Sequence, residues 1–71
     1  MKPIPYRDVK CKLESAGFSI TTQKGSHIKF IKTIAEGTLT VIVLYHREVS
    51  SGIIRSILRQ SSLSLEEFED L

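Results

Sequence analysis

The residues with the most chemistry in them are Gly25-Ser26-His27-Ile28-Lys29-Phe30. A Gly-Ser step runs into a histidine that opens an alternating stretch. Successive side chains of a strand point to opposite faces, so His27, Lys29 and Ile31 share one face and Ile28, Phe30 and Lys32 the other. An imidazole, whose ordinary pKa lies near neutrality, can take and give a proton at working pH. Lys29 two residues on, and Lys24 across the preceding turn, bring positive charge, and the amides of Gly25 and Ser26 are further donors for a phosphate. This set suits cleavage of RNA. The reaction needs a base for the 2′-hydroxyl, an acid for the leaving oxygen and charge for the phosphorane-like transition state, and it does not require a metal. The same residues also fit a surface histidine with no chemistry.

His46 is the second candidate. It stands where a third strand ends, and in a three-stranded meander that end lies beside the start of the second strand. His46 can thus approach His27 and divide acid and base roles with it, or it can be a plain loop histidine. Two histidines without a third ligand make a poor metal site, and neither a metal nor a cofactor is expected. Tyr45 can stack on a base or simply pack. Arg55 and Arg59 can touch phosphates or form a solvated helix face. The acidic residues Glu66, Glu67, Glu69 and Asp70 are read as a helix surface that favours its own N-terminus, not as paired catalytic carboxylates. Cys11 lies off the apolar stripe of its helix and has no base beside it in sequence, so it is read as a free thiol and not as a nucleophile.

The elements that must hold these residues follow from periodicity. Pro3 and Pro5 precede a helix whose apolar stripe is Tyr6, Val9, Leu13 and Ala16, with Gly17 as its stop. Phe18 to Gln23 alternates and is rich in β-branched residues, a first strand. Lys24-Gly25 is read as the turn, Ser26 to Thr33 as a second strand, Ala35-Glu36-Gly37 as another turn and Thr38 to Tyr45 as a third strand. Short turns between three strands predict an antiparallel meander. The third strand is apolar on both faces: Leu39, Val41 and Val43 on one, Ile42 and Leu44 on the other. Either both faces are covered within the domain or the second, with Ile31, meets a partner; since helices in so short a chain cover one face comfortably, a partner is the favoured expectation. Ser50 or Ser51 caps a helix with the stripe Ile53, Ile54, Ile57 and Leu58. Ser64 and Glu67 have capping-box spacing, and Leu63 and Phe68 the positions of a hydrophobic staple, for a short last helix. The predicted fold is α+β, in the order α-β-β-β-α with a short C-terminal helix, as a three-stranded antiparallel sheet with helices on one face.

Seventy-one residues make one domain, 1–71, with a thin core, and a hydrophobic fraction of 41% is enough for a globular fold. One cysteine rules out an intrachain disulfide framework. No apolar run is long enough for a membrane span and no signal core opens the chain, so the expected location is the cytoplasm and no membrane partner is expected. The net charge of +2 is unevenly divided. Residues 1–32 carry seven Lys/Arg against two acids, and residues 33–71 three against six. The basic half holds His27, which points to a polyanionic partner, while a solvated mixed surface accounts for the same charges.

The pattern resembles a known family. A helix ends at Ala16-Gly17-Phe18, Lys24-Gly25-Ser26-His27 opens a strand, and an apolar strand ends in His46. Then come Ser51-Gly52-Ile53-Ile54-Arg55-Ser56-Ile57-Leu58-Arg59-Gln60 and Leu65-Glu66-Glu67-Phe68. This is similar to the HicA toxins of HicA–HicB toxin–antitoxin systems, the YcfA-like family, over nearly the whole chain. The resemblance implies a double-stranded-RNA-binding-domain-like fold, mRNA cleavage, inhibition by a HicB-type antitoxin and a catalytic role for His27. It also matches the family glycine before the main C-terminal helix to Gly52. The chain departs from the family at Leu44, where a proline is common, and at Gly52-Ile53-Ile54, where Gly-Thr-Leu is common. The leading expectation is a small ribonuclease toxin, with a homodimer left open. Its rivals are a non-catalytic RNA-binding module and a protein-interaction domain.

Overall fold

The computed structural model describes residues 2–71. Helix α1 spans Tyr6–Ser15 and buries Val9 and Leu13. It ends as the sequence predicts. Gly17 takes φ +100°, the Gly17 amide donates to the Glu14 carbonyl at 3.0 Å, and the Phe18 amide donates to the Leu13 carbonyl at 2.9 Å. That is a Schellman end, which uses glycine because the left-handed region is nearly free of cost to it. The same two bonds drop Phe18 onto Leu13 in the core.

Strands β2 (Ser19–Lys24), β3 (His27–Ile34) and β4 (Gly37–Leu44) form an antiparallel sheet in the order β2-β3-β4. The three lie about one residue later or earlier than periodicity suggests. The first turn is Gly25-Ser26, so Lys24 belongs to β2 instead of the turn. Gly25 has φ +60° and Ser26 does not have a positive φ, the pattern of a type II′ hairpin, which takes glycine at its first loop position.

One sheet face carries Ile28, Phe30, Val41 and Val43, all buried. Against it pack Val9, Leu13, Phe18, Ile54, Ile57, Phe68 and Val49 as one core. Helix α2 (Ser51–Ser61) is capped by the Ser50 hydroxyl, which accepts from the Ile53 amide at 3.4 Å. Its Gln60 side chain accepts from the Ile42 amide at 2.9 Å and so covers part of the free edge of β4. Helix α3 (Leu65–Asp70) opens with the predicted capping box between Ser64 and Glu67. The arrangement is the α-β-β-β-α sandwich expected, with helices on one face. Its thinnest extent is 17 Å, room for a single helical layer over the sheet. The other face stays uncovered among the described residues, with Ile42 39% exposed and Ile31 and Leu44 half-buried.

Two features are absent from the periodicity. Ile4–Pro5 (β1) pairs antiparallel with Glu48–Val49 (β5), Ile4 with Val49 and Pro5 with Glu48. Strands of two residues have no period to read, and the pairing joins distant parts of the chain. The second is Lys12. Its ammonium donates to the carbonyls of Phe68, Glu69 and Leu71 at 3.1, 3.3 and 3.2 Å and lies 5.4 Å from the Phe68 ring centroid. It thereby caps the C-terminus of α3, where a cation is electrostatically favoured.

Candidate active site

His27 opens β3 immediately after the type II′ loop and is exposed. Its register partners are Lys24 on β2 and Leu44 on β4. Directly opposed residues have Cβ atoms about 4.5–5.5 Å apart, so the Lys24 stem rises beside the imidazole. Lys29, two residues along the same strand, shares this face and is paired with Thr22 and Ile42. The imidazole therefore shares its face with two lysines, one across the ladder and one along the strand.

A β-bulge decides which residue opposes His27. Ile20 pairs with Phe30, but the next pair is Thr22 with Lys29, so Thr21 is the extra residue. The Thr21 hydroxyl donates to the Lys29 carbonyl at 3.4 Å and ties the bulge to β3. An unbroken ladder would set Gln23 opposite His27. The bulge advances the register by one and brings Lys24 there instead.

The predicted secondary residues are reached from the same turn. The Tyr45 amide donates to the Ser26 carbonyl at 2.6 Å, which holds the Gly25-Ser26 loop against the end of β4. His46 follows, exposed, two residues beyond the Leu44–His27 pair. The meander thus brings His46 to the same end of the sheet as His27, and no hydrogen bond joins the two among the described residues. Arg55 and Arg59 are exposed on α2, away from the sheet's open face. Cys11 is a free, exposed thiol. Among the described residues no cluster of three or more His, Cys, Asp or Glu forms that could hold a metal ion, and no helix is long and apolar enough to cross a membrane.

Three residues beside the site escape a sequence reading. Tyr6 reads only as part of the α1 stripe, and the sequence reading gives Arg7 and Arg47 no role. The Tyr6 amide donates to the Arg47 carbonyl at 3.3 Å, which joins the start of α1 to the segment after β4. The Tyr6 and Tyr45 rings meet edge to face with centroids 4.8 Å apart. Burial first, then the charge of Glu14 and the neighbouring Tyr45, raise the Tyr6 phenol above its usual pKa and keep it protonated.

The family model for the HicA toxin of bacterial toxin–antitoxin systems matches residues 6–63. The chain belongs to the HicA toxin family. The match starts at the first residue of α1 and takes in both hairpins and α2, so it includes Lys24 to Lys29, Tyr45 and His46, while α3 lies beyond it. A comparison with curated proteins finds no match. Family membership makes this chain the toxin component of a toxin–antitoxin pair, with an antitoxin as its partner.

Proposed function

We propose that this HicA-family toxin is an endoribonuclease that cleaves mRNA with His27 as its catalytic residue, and so blocks translation and growth in the cytoplasm. One observation carries the reading: an exposed imidazole stands on an open sheet face with Lys24 directly opposite it and Lys29 two residues along. The His27 imidazole takes the proton of a 2′-hydroxyl. The 2′-oxygen bonds to phosphorus and the P–O5′ bond breaks, which leaves a 2′,3′-cyclic phosphate on one fragment. The leaving 5′-oxygen takes a proton, for which His46 is the second imidazole at this end of the sheet. Lys24 and Lys29 neutralise the charge that grows on the non-bridging oxygens, and the Gly25 and Ser26 amides line the same turn. These parts supply base, acid and charge from side chains, so the reaction is metal-independent.

Single-stranded RNA is the substrate class, because its unpaired nucleotides leave the 2′-hydroxyl free to align with the phosphate. A HicB-type antitoxin silences the toxin by covering the His27 face. Ile31, Ile42 and Leu44 lie on that face beside His27 and Lys29 and offer apolar area to such a partner.

The test is incubation of the protein with single-stranded RNA in EDTA, with identification of the product ends. Fragments ending in 2′,3′-cyclic phosphate and 5′-hydroxyl are expected. Intact RNA with salt-sensitive binding would overturn the catalytic reading in favour of a binding module.

A further inference from the structure

We propose that the cleft formed by Tyr6, Tyr45, Arg7 and Arg47 is a nucleotide subsite, in which the base next to the scissile phosphate lies on Tyr45. The proposal rests on the reading of this chain as an RNA-binding toxin and names where the substrate is held.

The cleft measures about 380 Å³ and is lined by Pro5, Tyr6, Arg7, Tyr45, Arg47 and Glu48. Its lining includes the Pro5–Glu48 pair of the small β1–β5 sheet. Tyr45 is 50% exposed, so half of its surface is unspent even though its ring already meets Tyr6. The edge-to-face contact fixes the orientation of Tyr45 and prepays the ordering of an aromatic platform. None of the side-chain hydrogen bonds among the described residues uses Arg7 or Arg47, so both guanidinium groups are available. An aromatic platform with two arginines matches a base and its flanking phosphates, which is the recurring chemistry of single-strand recognition. Glu48 would repel a phosphate but accepts hydrogen bonds, so it belongs beside the base and its amino group.

Position supports the same occupant. Alternation along β4 leaves Leu44 on the His27 face and turns Tyr45 to the helix side, where Tyr6 waits. The Tyr45 amide is bonded to Ser26, the residue before His27. A strand whose phosphate lies at His27 therefore crosses the Gly25-Ser26 end of the sheet and delivers the adjoining base to the cleft.

The chain has two tyrosines and no tryptophan, and both tyrosines are in the cleft. Intrinsic emission is thus a direct report of this site. The probe is 2′-O-methyl pentaadenylate, which the proposed 2′-hydroxyl reaction cannot cleave. Titration into the wild-type protein, corrected for absorption by the bases, is expected to quench tyrosine emission saturably. An abasic strand of equal length should quench far less. Tyr45→Leu should fold with unchanged circular dichroism and weaken binding ~5- to 150-fold, the range for loss of one stacked base, read by anisotropy of a 5′-labelled strand. Equal quenching by the abasic strand, or unchanged affinity in Tyr45→Leu, would overturn the subsite. Those outcomes leave the ribonuclease reading standing if RNA is still cut, and quenching without cleavage leaves the subsite standing alone.

Discussion

His27→Ala separates chemistry from structure because the two expected effects differ by orders of magnitude. The imidazole is exposed and makes no hydrogen bond among the described residues, and its neighbours on that face are the long stems of Lys24 and Lys29 and the half-buried Leu44. Substitution at such a site changes stability by no more than about 0.5 kcal/mol. Unfolding entropy of ~2.1 cal/mol/K per residue over 71 residues is about 0.15 kcal/mol/K, so Tm should move by no more than about 3 °C. Loss of a general base costs about 10²- to 10⁴-fold in rate, equivalent to about 3–5.5 kcal/mol of barrier. The assay pairs a thermal melt by circular dichroism with kcat/KM on a short RNA in EDTA, and growth inhibition in cells gives an independent readout. A mutant that melts many degrees lower yet cuts RNA at the wild-type rate would refute the assignment and make His27 a structural residue. Equal melts with unchanged cleavage would refute it as well.

Other outcomes follow from the same geometry. His46→Ala should lower kcat/KM while retaining part of the rate, as loss of the acid alone requires. Gly25→Ala should cost about 1–2 kcal/mol, since a Cβ there meets no atom within 4 Å but φ stays at +60°; a urea titration measures it. Lys12→Met should cost about 1 kcal/mol, or about 6–7 °C, and raise amide exchange selectively in α3, whose carbonyls lose their cation. Glu67 has a pKa lowered first by the hydrogen bond its carboxylate accepts from the Ser64 amide, and further by the neighbouring Ser64 side chain. A lowered folded-state pKa gives stability that is present above the unfolded value and lost as pH falls through the folded one. The Tm gap between wild type and Glu67→Ala should therefore be full at neutral pH and close on acidification below about pH 4, Glu having an ordinary pKa near 4.3.

Local signals in the sequence were enough for the helices, the three strands of the main sheet and the strand face of the candidate site. The 3.6-residue stripe of α1 with Gly17 at its end, the alternation from Ile28 through Phe30, and the Ser64–Glu67 box are interactions between near neighbours, so they can be read without knowing the fold. His27 and Lys29 share a face for the same reason: a strand has a period of two. The double-sided apolar pattern of β4 likewise announced an uncovered face, which the structure leaves open at Ile42.

Exact register and most of the distant pairings were out of reach. Lys24 opposes His27 only because Thr21 bulges, and a bulge is one unpaired residue with no periodic trace. The β1–β5 pair, the cap of α3 by Lys12 and the Tyr6–Tyr45 cleft each join residues from opposite parts of the chain. Such contacts are set by how packed layers meet, not by the propensities of the residues involved. The sequence alone thus determined which groups could do chemistry and on which strand face they stand. Tertiary structure decided which charge stands opposite the imidazole and which tyrosines meet at the Gly25-Ser26 end of the sheet, because both depend on pairing across the sheet and around its end.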